Sequence, residues 1–168
     1  MLVSLHLHKS ITFLFMKAVK ILVVLVFSTL TLSCISTKNT IKNIDISQPI
    51  PKLTTKNTFV LTEISTDVKY GFDPDYPINI FFRNANEDDM NLKRYLNALS
   101  GPHGETINYK KIGICCPFPT KNTNTGGGFL EVIEISYEGL QVPLKLYLNR
   151  YEKGVLKAPL GLGIKPIL

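Results

Sequence analysis

The most regular alternation in the chain lies near its C-terminus. Over residues 142–150, Val142, Leu144, Leu146 and Leu148 alternate with Pro143, Lys145, Tyr147 and Asn149. A period of two with one polar face predicts a half-buried antiparallel strand. Pro143 lacks an N–H and suits an edge position or a strand start. Residues 129–137 place Phe129, Ile133, Ile135 and Tyr137 on one side, and the short connection Tyr137-Glu138-Gly139-Leu140-Gln141 predicts a hairpin between these two strands. Three further strands are predicted. Residues 106–116 set Ile112, Ile114 and Cys116 on one face; residues 78–83 alternate Ile78, Ile80 and Phe82 with Asn79, Phe81 and Arg83; residues 58–64 are β-rich but mixed in face.

One segment changes period. Leu92, Tyr95, Leu96 and Leu99 fall at offsets 0, 3, 4 and 7, a single helical stripe. Asn86 is a suitable N-cap, and Glu87, Asp88 and Asp89 complement the positive end of the helix dipole. Ser100-Gly101-Pro102 is the predicted stop, glycine for a left-handed cap and proline because it cannot continue. The fold class expected is therefore α+β, an antiparallel sheet of about five strands with one helix packed on one face, in a single globular domain over residues 58–168.

The first third of the chain reads differently. From Met16 it runs MKAVKILVVLVFSTLTLSC. Lys17 and Lys20 form a positive n-region, Ile21 to Leu32 an apolar h-region, and Ser33 a small residue before Cys34. This apolar run falls short of the about 20 residues that a spanning helix needs. Residues 1–33 are expected to be a signal peptide, with translation starting at Met1 or at Met16. Leu30-Thr31-Leu32-Ser33-Cys34 resembles the lipobox of bacterial lipoprotein signal peptidase, which implies a diacylglyceryl thioether on Cys34 and acylation of its freed amine. Several acyl chains anchor stably where one is marginal. Residues 34–57 are polar, rich in Thr, Asn and Lys, and without periodicity, so they are expected to be a flexible tether. No acidic residue follows Cys34 until Asp45. That favours the outer membrane, facing the periplasm, over retention at the inner membrane or surface export.

Charge adds little to this picture. The chain has 19 Lys and Arg against 13 Asp and Glu. Three of those lysines, Lys9, Lys17 and Lys20, precede Cys34, so the remainder has 16 against 13. These are scattered, with no basic run interleaved with aromatics, and nucleic acid is not an expected partner. The expected partners are the membrane, through Cys34, and an envelope protein or ligand of unspecified kind.

Residues 93–104 (KRYLNALSGPHG), 112–118 (IGICCPF) and 143–152 (PLKLYLNRYE) resemble a family of small lipoproteins of Bacteroidota-type bacteria. Its distinctive feature is the double cysteine before Pro-Phe. Relatives carry a glycine-rich stretch at the position of residues 80–83 and a small residue at that of Ile114. The resemblance implies no established activity. Similar sequences are sometimes labelled 2-dehydro-3-deoxyphosphooctonate aldolase, but that enzyme is a (β/α)8 barrel of typically about 250 residues. Five strands and one helix do not build it.

Several constellations invite a chemical reading. Cys115 and Cys116 are the only thiols besides Cys34, in an oxidising compartment. Neighbours on a strand point to opposite faces. Joining them therefore needs an eight-membered ring and a local break in the strand, helped by Pro117; two free thiols, an intermolecular bridge and redox chemistry are the alternatives. His103, in the loop 101–104, would complete a metal or nucleophilic set with them only if the fold brought it back, and the spacing supports neither a metal nor another cofactor. Asp67, Asp73 and Asp75 lie in a Pro/Gly-rich loop. Asx turns explain them, and a ligand loop is the functional alternative. Gly126-Gly127-Gly128 precedes a strand rather than a helix and reads as a flexible loop, not a phosphate cradle. Glu131 and Glu134 are expected on opposite faces, a poor acid/base pair. Tyr147 and Tyr151, with Tyr137 and Phe81, form either a contact surface for sugar, peptide or protein, or packing beneath the tether or the C-terminal tail. The balance favours a non-catalytic envelope module, with a thiol-dependent enzyme or sensor at Cys115-Cys116 as the alternative.

Overall fold

A computed structural model describes Lys20 and residues 39–81 and 88–166. The signal-peptide and lipidation assignments, including Cys34, and the helix cap at Asn86 lie outside the described residues. The described residues from 39 onward belong to one compact unit, Thr37–Leu168. No helix among the described residues is long and apolar enough to cross a membrane.

The elements in order are β1 (Ile78–Asn79), α1 (Asp88–Leu96), β2 (Leu99–Ser100), β3 (Asn108–Pro119), β4 (Gly127–Ser136), β5 (Leu144–Asn149) and β6 (Gly163–Ile164). Among the described residues from 39 onward, the domain is thus mostly sheet with one short helix, an α+β arrangement. The expected five-stranded antiparallel sheet is corrected to a four-stranded mixed sheet in the order β1-β5-β4-β3, with a separate two-stranded sheet of β2 and β6. The β4–β5 hairpin is antiparallel, Ile135 facing Leu144 and Glu131 facing Leu148. Strand β1, however, lies parallel to β5. Pro143 stands immediately before β5, an inner strand, just outside its paired residues, where a missing N–H interrupts no ladder.

One face of the sheet carries the main core. Ile133 and Ile135 of β4, Leu146 and Leu148 of β5 and Ile78 of β1 are almost completely buried with Tyr95 and Leu96 of α1. The helix ends at Leu96, earlier than its apolar stripe suggests, and Leu99 pairs with Ile164 as part of β2. Its side chain is fully buried all the same. The offset of seven thus marked a core position correctly but assigned it the wrong backbone. Lys93 and Arg94 in the last helical turn complement the negative end of the dipole.

Two other expectations fail for identifiable reasons. Residues 58–64 form no strand. They make isolated bridges, Leu53 with Phe59 and Ile64 with Ala158, while the Phe59 amide donates to the carbonyl of Arg94. Burial of Phe59 and Leu61, rather than sheet pairing, accounts for their apolar character. On β3, Ile112 and Ile114 are exposed, because two register shifts, between Lys111 and Gly113 and between Cys115 and Phe118, break the alternation.

The tether boundary also moves. Ile41 is buried, the Lys42 amide donates to the carbonyl of Asp75, and the Asp45 amide donates to the carbonyl of Lys153. Residues 41–45 therefore form a strap on the domain. Their polar composition concealed this, because most of the strap's attachment is through hydrogen bonds rather than an apolar stripe.

Candidate functional site

The strap lies over the sheet face opposite the main core. Leu130 and Phe118 are buried there with Ile41, and Ile44, Cys115, Cys116, Tyr147 and Tyr151 pack around them. On β4 the strand alternation therefore serves two cores, Ile133 and Ile135 on one face and Leu130 and Val132 on the other. Tyr147 and Tyr151 accordingly take the packing role beneath the tether rather than forming an open contact surface with Tyr137 and Phe81. The Phe118 and Tyr151 rings meet edge to face, centroids 6.0 Å apart. Gly128 makes room for them: a Cβ there would stand 2.7 Å from Cδ2 of Tyr151 and 3.1 Å from Cζ of Phe118. The triple glycine is thus only partly loop, since Gly127 and Gly128 open β4.

A ladder of asparagines holds the strap's polar side. The Asn149 amide donates to Oδ1 of Asn79 at 2.8 Å, and the Asn79 amide donates to both the carbonyl and Oδ1 of Asn43, at 3.0 and 2.9 Å. The Asn43 amide in turn donates to the carbonyl of Pro77 at 2.7 Å. Asn79 and Asn149 are almost completely buried, so each unmade bond would carry the desolvation cost of an orphaned amide. Gly154 permits the approach, since a Cβ there would lie 2.9 Å from the Asn43 carbonyl oxygen. No periodicity rule singles out these asparagines; the only sequence signal is an amide side chain inside an otherwise apolar strand.

Cys115 and Cys116 are joined as a vicinal disulfide. Cys115 pairs with Leu130, and the next paired residue, Phe118, faces Gly128, so β3 carries one residue more than β4 across this step. Cys116 takes up the difference with a φ of 57°, a left-handed conformation that costs a non-glycine residue roughly 1–2 kcal/mol. That turn brings the second sulfur back to the side of the first. Both cysteines are half-buried against the strap cluster.

Of the other candidate residues, Asp67 and Asp73 use their carboxylates in local structure, while Asp75 and His103 take part through their backbone. Asp67 Oδ1 accepts from the Lys69 amide at 2.9 Å, and Asp73 Oδ1 from the Asp75 amide at 2.8 Å. These are the Asx turns that the sequence allowed. The Asp75 carbonyl receives the strap at Lys42. His103 is exposed, and its amide donates to the Glu105 carboxylate at 2.9 Å. Backbone amides of Glu105 itself and of His103 hold that carboxyl below its ordinary range. Among the described residues no three His, Cys, Asp or Glu side chains converge as a metal site, so His103, Cys115 and Cys116 form no such set.

Two features escaped sequence reasoning. Glu131 is buried, its Oε1 accepting from Arg150 at 2.6 Å and Lys111 at 3.1 Å, whereas Glu134 pairs with the largely exposed Lys110. An acid within the apolar run Leu130–Ile135 was the available signal. The second feature is a cleft of about 390 Å³, floored by Phe59, Leu61 and Ala98 and rimmed by Thr54, Thr58, Asn97, Lys56 and Lys165. It assembles from three distant stretches of chain, which no local pattern reveals.

No family model, curated protein or solved structure matches this chain. Among the described residues the four-stranded mixed sheet with one helix is not the arrangement of a (β/α)8 barrel.

Proposed function

We propose that the protein is an envelope lipoprotein of the small Bacteroidota-type family its Cys-Cys-Pro-Phe motif resembles, cut before Cys34, lipidated there and held at the periplasmic face of the outer membrane. Its domain acts as a non-catalytic binding module. The cleft is the observation that carries this reading. Apolar side chains form its floor, and hydroxyl, amide and ammonium groups its rim, while the described lining residues supply no carboxylate, thiol or imidazole. That composition suits recognition of a small organic anion rather than bond-breaking chemistry. In the loops offered for a ligand, the carboxylates of Asp67 and Asp73 accept from backbone amides, and Asp75 and His103 enter their turns through backbone amides. The test is a thermal-shift and dialysis screen with sugar acids and inorganic phosphate, repeated on Lys56→Ala/Lys165→Ala. Binding by the parent chain that the double variant loses supports the cleft; binding unchanged in the variant places the ligand elsewhere.

A second reading makes Cys115-Cys116 a thiol-dependent redox centre, and the vicinal disulfide favours it. Reduction by a dithiol would transfer two electrons and two protons to the cysteine pair, yielding two thiols while the dithiol becomes a disulfide. This reading requires that Cys115→Ser/Cys116→Ser keep the fold and lose a cellular phenotype that a cleft variant retains.

A further inference from the structure

We infer that the end of the domain bearing Ile46, which directly follows the strap, and the loop at Lys121 rests on the phospholipid surface. This rests on the lipidation of Cys34 proposed above. A free tether over residues 34–57 would let the domain stand up to about 80 Å from its anchor, at a maximum near 3.5 Å per residue. Docking of the strap removes most of that reach. Asn39 is already on the domain, within the same compact unit as the sheet, and only five peptide steps separate it from Cys34. Fully extended, they span no more than about 18 Å. The lipid anchor must therefore lie close to the surface around Asn39.

That surface has the character expected of an interfacial contact. Asn39, Ile44, Ile46, Pro119, Lys121 and Asn122 border one depression. Ile46 is 76% exposed, and Ile50, four residues on, is 66% exposed. Two large aliphatic side chains left exposed gain from entering the headgroup boundary, and Lys121, which lines the depression with Ile46, can meet lipid phosphate. The opposite end of the sheet provides a comparison. The β4–β5 connection, with Val142 also exposed, lies a full β4 length away, about 30 Å at the rise of a strand.

The absence of tryptophan from the chain makes a single introduced indole a clean reporter. The full chain is purified from membranes, its lipid confirmed by intact mass, and reconstituted into phosphatidylethanolamine/phosphatidylglycerol vesicles with and without lipid brominated high on the acyl chain. I46W and I50W are expected to shift to the blue and lose most of their emission to bromine, whereas V142W keeps its own. Lipidated protein in which I46W and I50W stay unquenched, or in which V142W is quenched equally, overturns the inference and leaves the anchor standing. A mass without lipid on Cys34 overturns the anchor itself. The three side chains are solvent-exposed, so the substitutions leave the core intact.

Discussion

Ile41→Ala measures how firmly the strap belongs to the domain. Ile41 is 7% exposed in a small cluster with Phe118 and Leu130. Truncation removes three carbons, worth about 2.4 kcal/mol at roughly 0.8 per buried methylene. The cluster borders solvent, so water or a shifted neighbour can fill the space and the further cavity term is small. The expected loss is therefore about 2 kcal/mol, the lower end of the isoleucine-to-alanine range. Urea unfolding of residues 34–168 with Cys34→Ser, which removes the lipid, reads it as a lower midpoint at unchanged slope. Ile46→Ala, on the exposed part of the same segment, should stay within about 0.5 kcal/mol. Should Ile41→Ala also fall within that margin, the segment is a free tether and the strap argument is wrong. Gly154→Ala supplies an independent check, because its Cβ would meet the Asn43 carbonyl at 2.9 Å; protease cleavage within residues 39–57 should accelerate in that variant and not in Ile46→Ala.

Three further outcomes follow from the geometry. With Cys115→Ser in place, Cys116→Gly should be more stable than Cys116→Ser by about 1 kcal/mol, since glycine adopts the positive φ without cost; equal urea midpoints would mean that the left-handed turn disappears with the disulfide. Glu131→Gln leaves Arg150 and Lys111 facing a neutral amide. It should destabilise by about 2–3 kcal/mol, less than a fully buried pair because Arg150 is partly solvated, and a change below about 0.5 kcal/mol by urea midpoint would show the pair to be solvent-screened. Burial pushes the phenols of Tyr70 and Tyr95 above the ordinary value of 10.0. Their contribution to stability is therefore complete below pH 10.0 and is lost as pH rises from there towards the higher folded-state values. Absorbance titration should show these two phenols ionising only as the protein unfolds, and Tyr70→Phe/Tyr95→Phe should flatten the alkaline decline in urea midpoint; an unaltered slope would assign the decline to other groups.

Period-two alternation located β5 and the hairpin because both strands pack against one continuous core, and a half-buried strand writes that geometry into its residues. Reading β4 as one-faced missed Leu130 and Val132, since a strand covered on both sides loses its alternation. The Asx turns at Asp67 and Asp73 were legible because an aspartate and the amide two residues on are neighbours in any fold. So was the need for a break in β3 if Cys115 and Cys116 were to join, because covalent geometry alone demands it.

Local order in sequence thus marked the segments that carry β3, β4 and β5, where the helical stripe lies and what a joined cysteine pair would require, although it also marked residues 58–64, which form no strand. The parallel placement of β1 beside β5, the pairing of β2 with β6, the burial of Glu131 between Arg150 and Lys111, and the cleft at Lys56 and Lys165 were decided only by tertiary structure. Each depends on contacts between residues far apart in the chain, and chain closure over such distances leaves no periodic mark. The strap belongs with them. Its residues are polar enough to be a linker, and only the partners waiting on the far side of the sheet, the Phe118–Leu130 cluster for Ile41, the backbone at Asp75 and Lys153 and the asparagines, make it part of the domain.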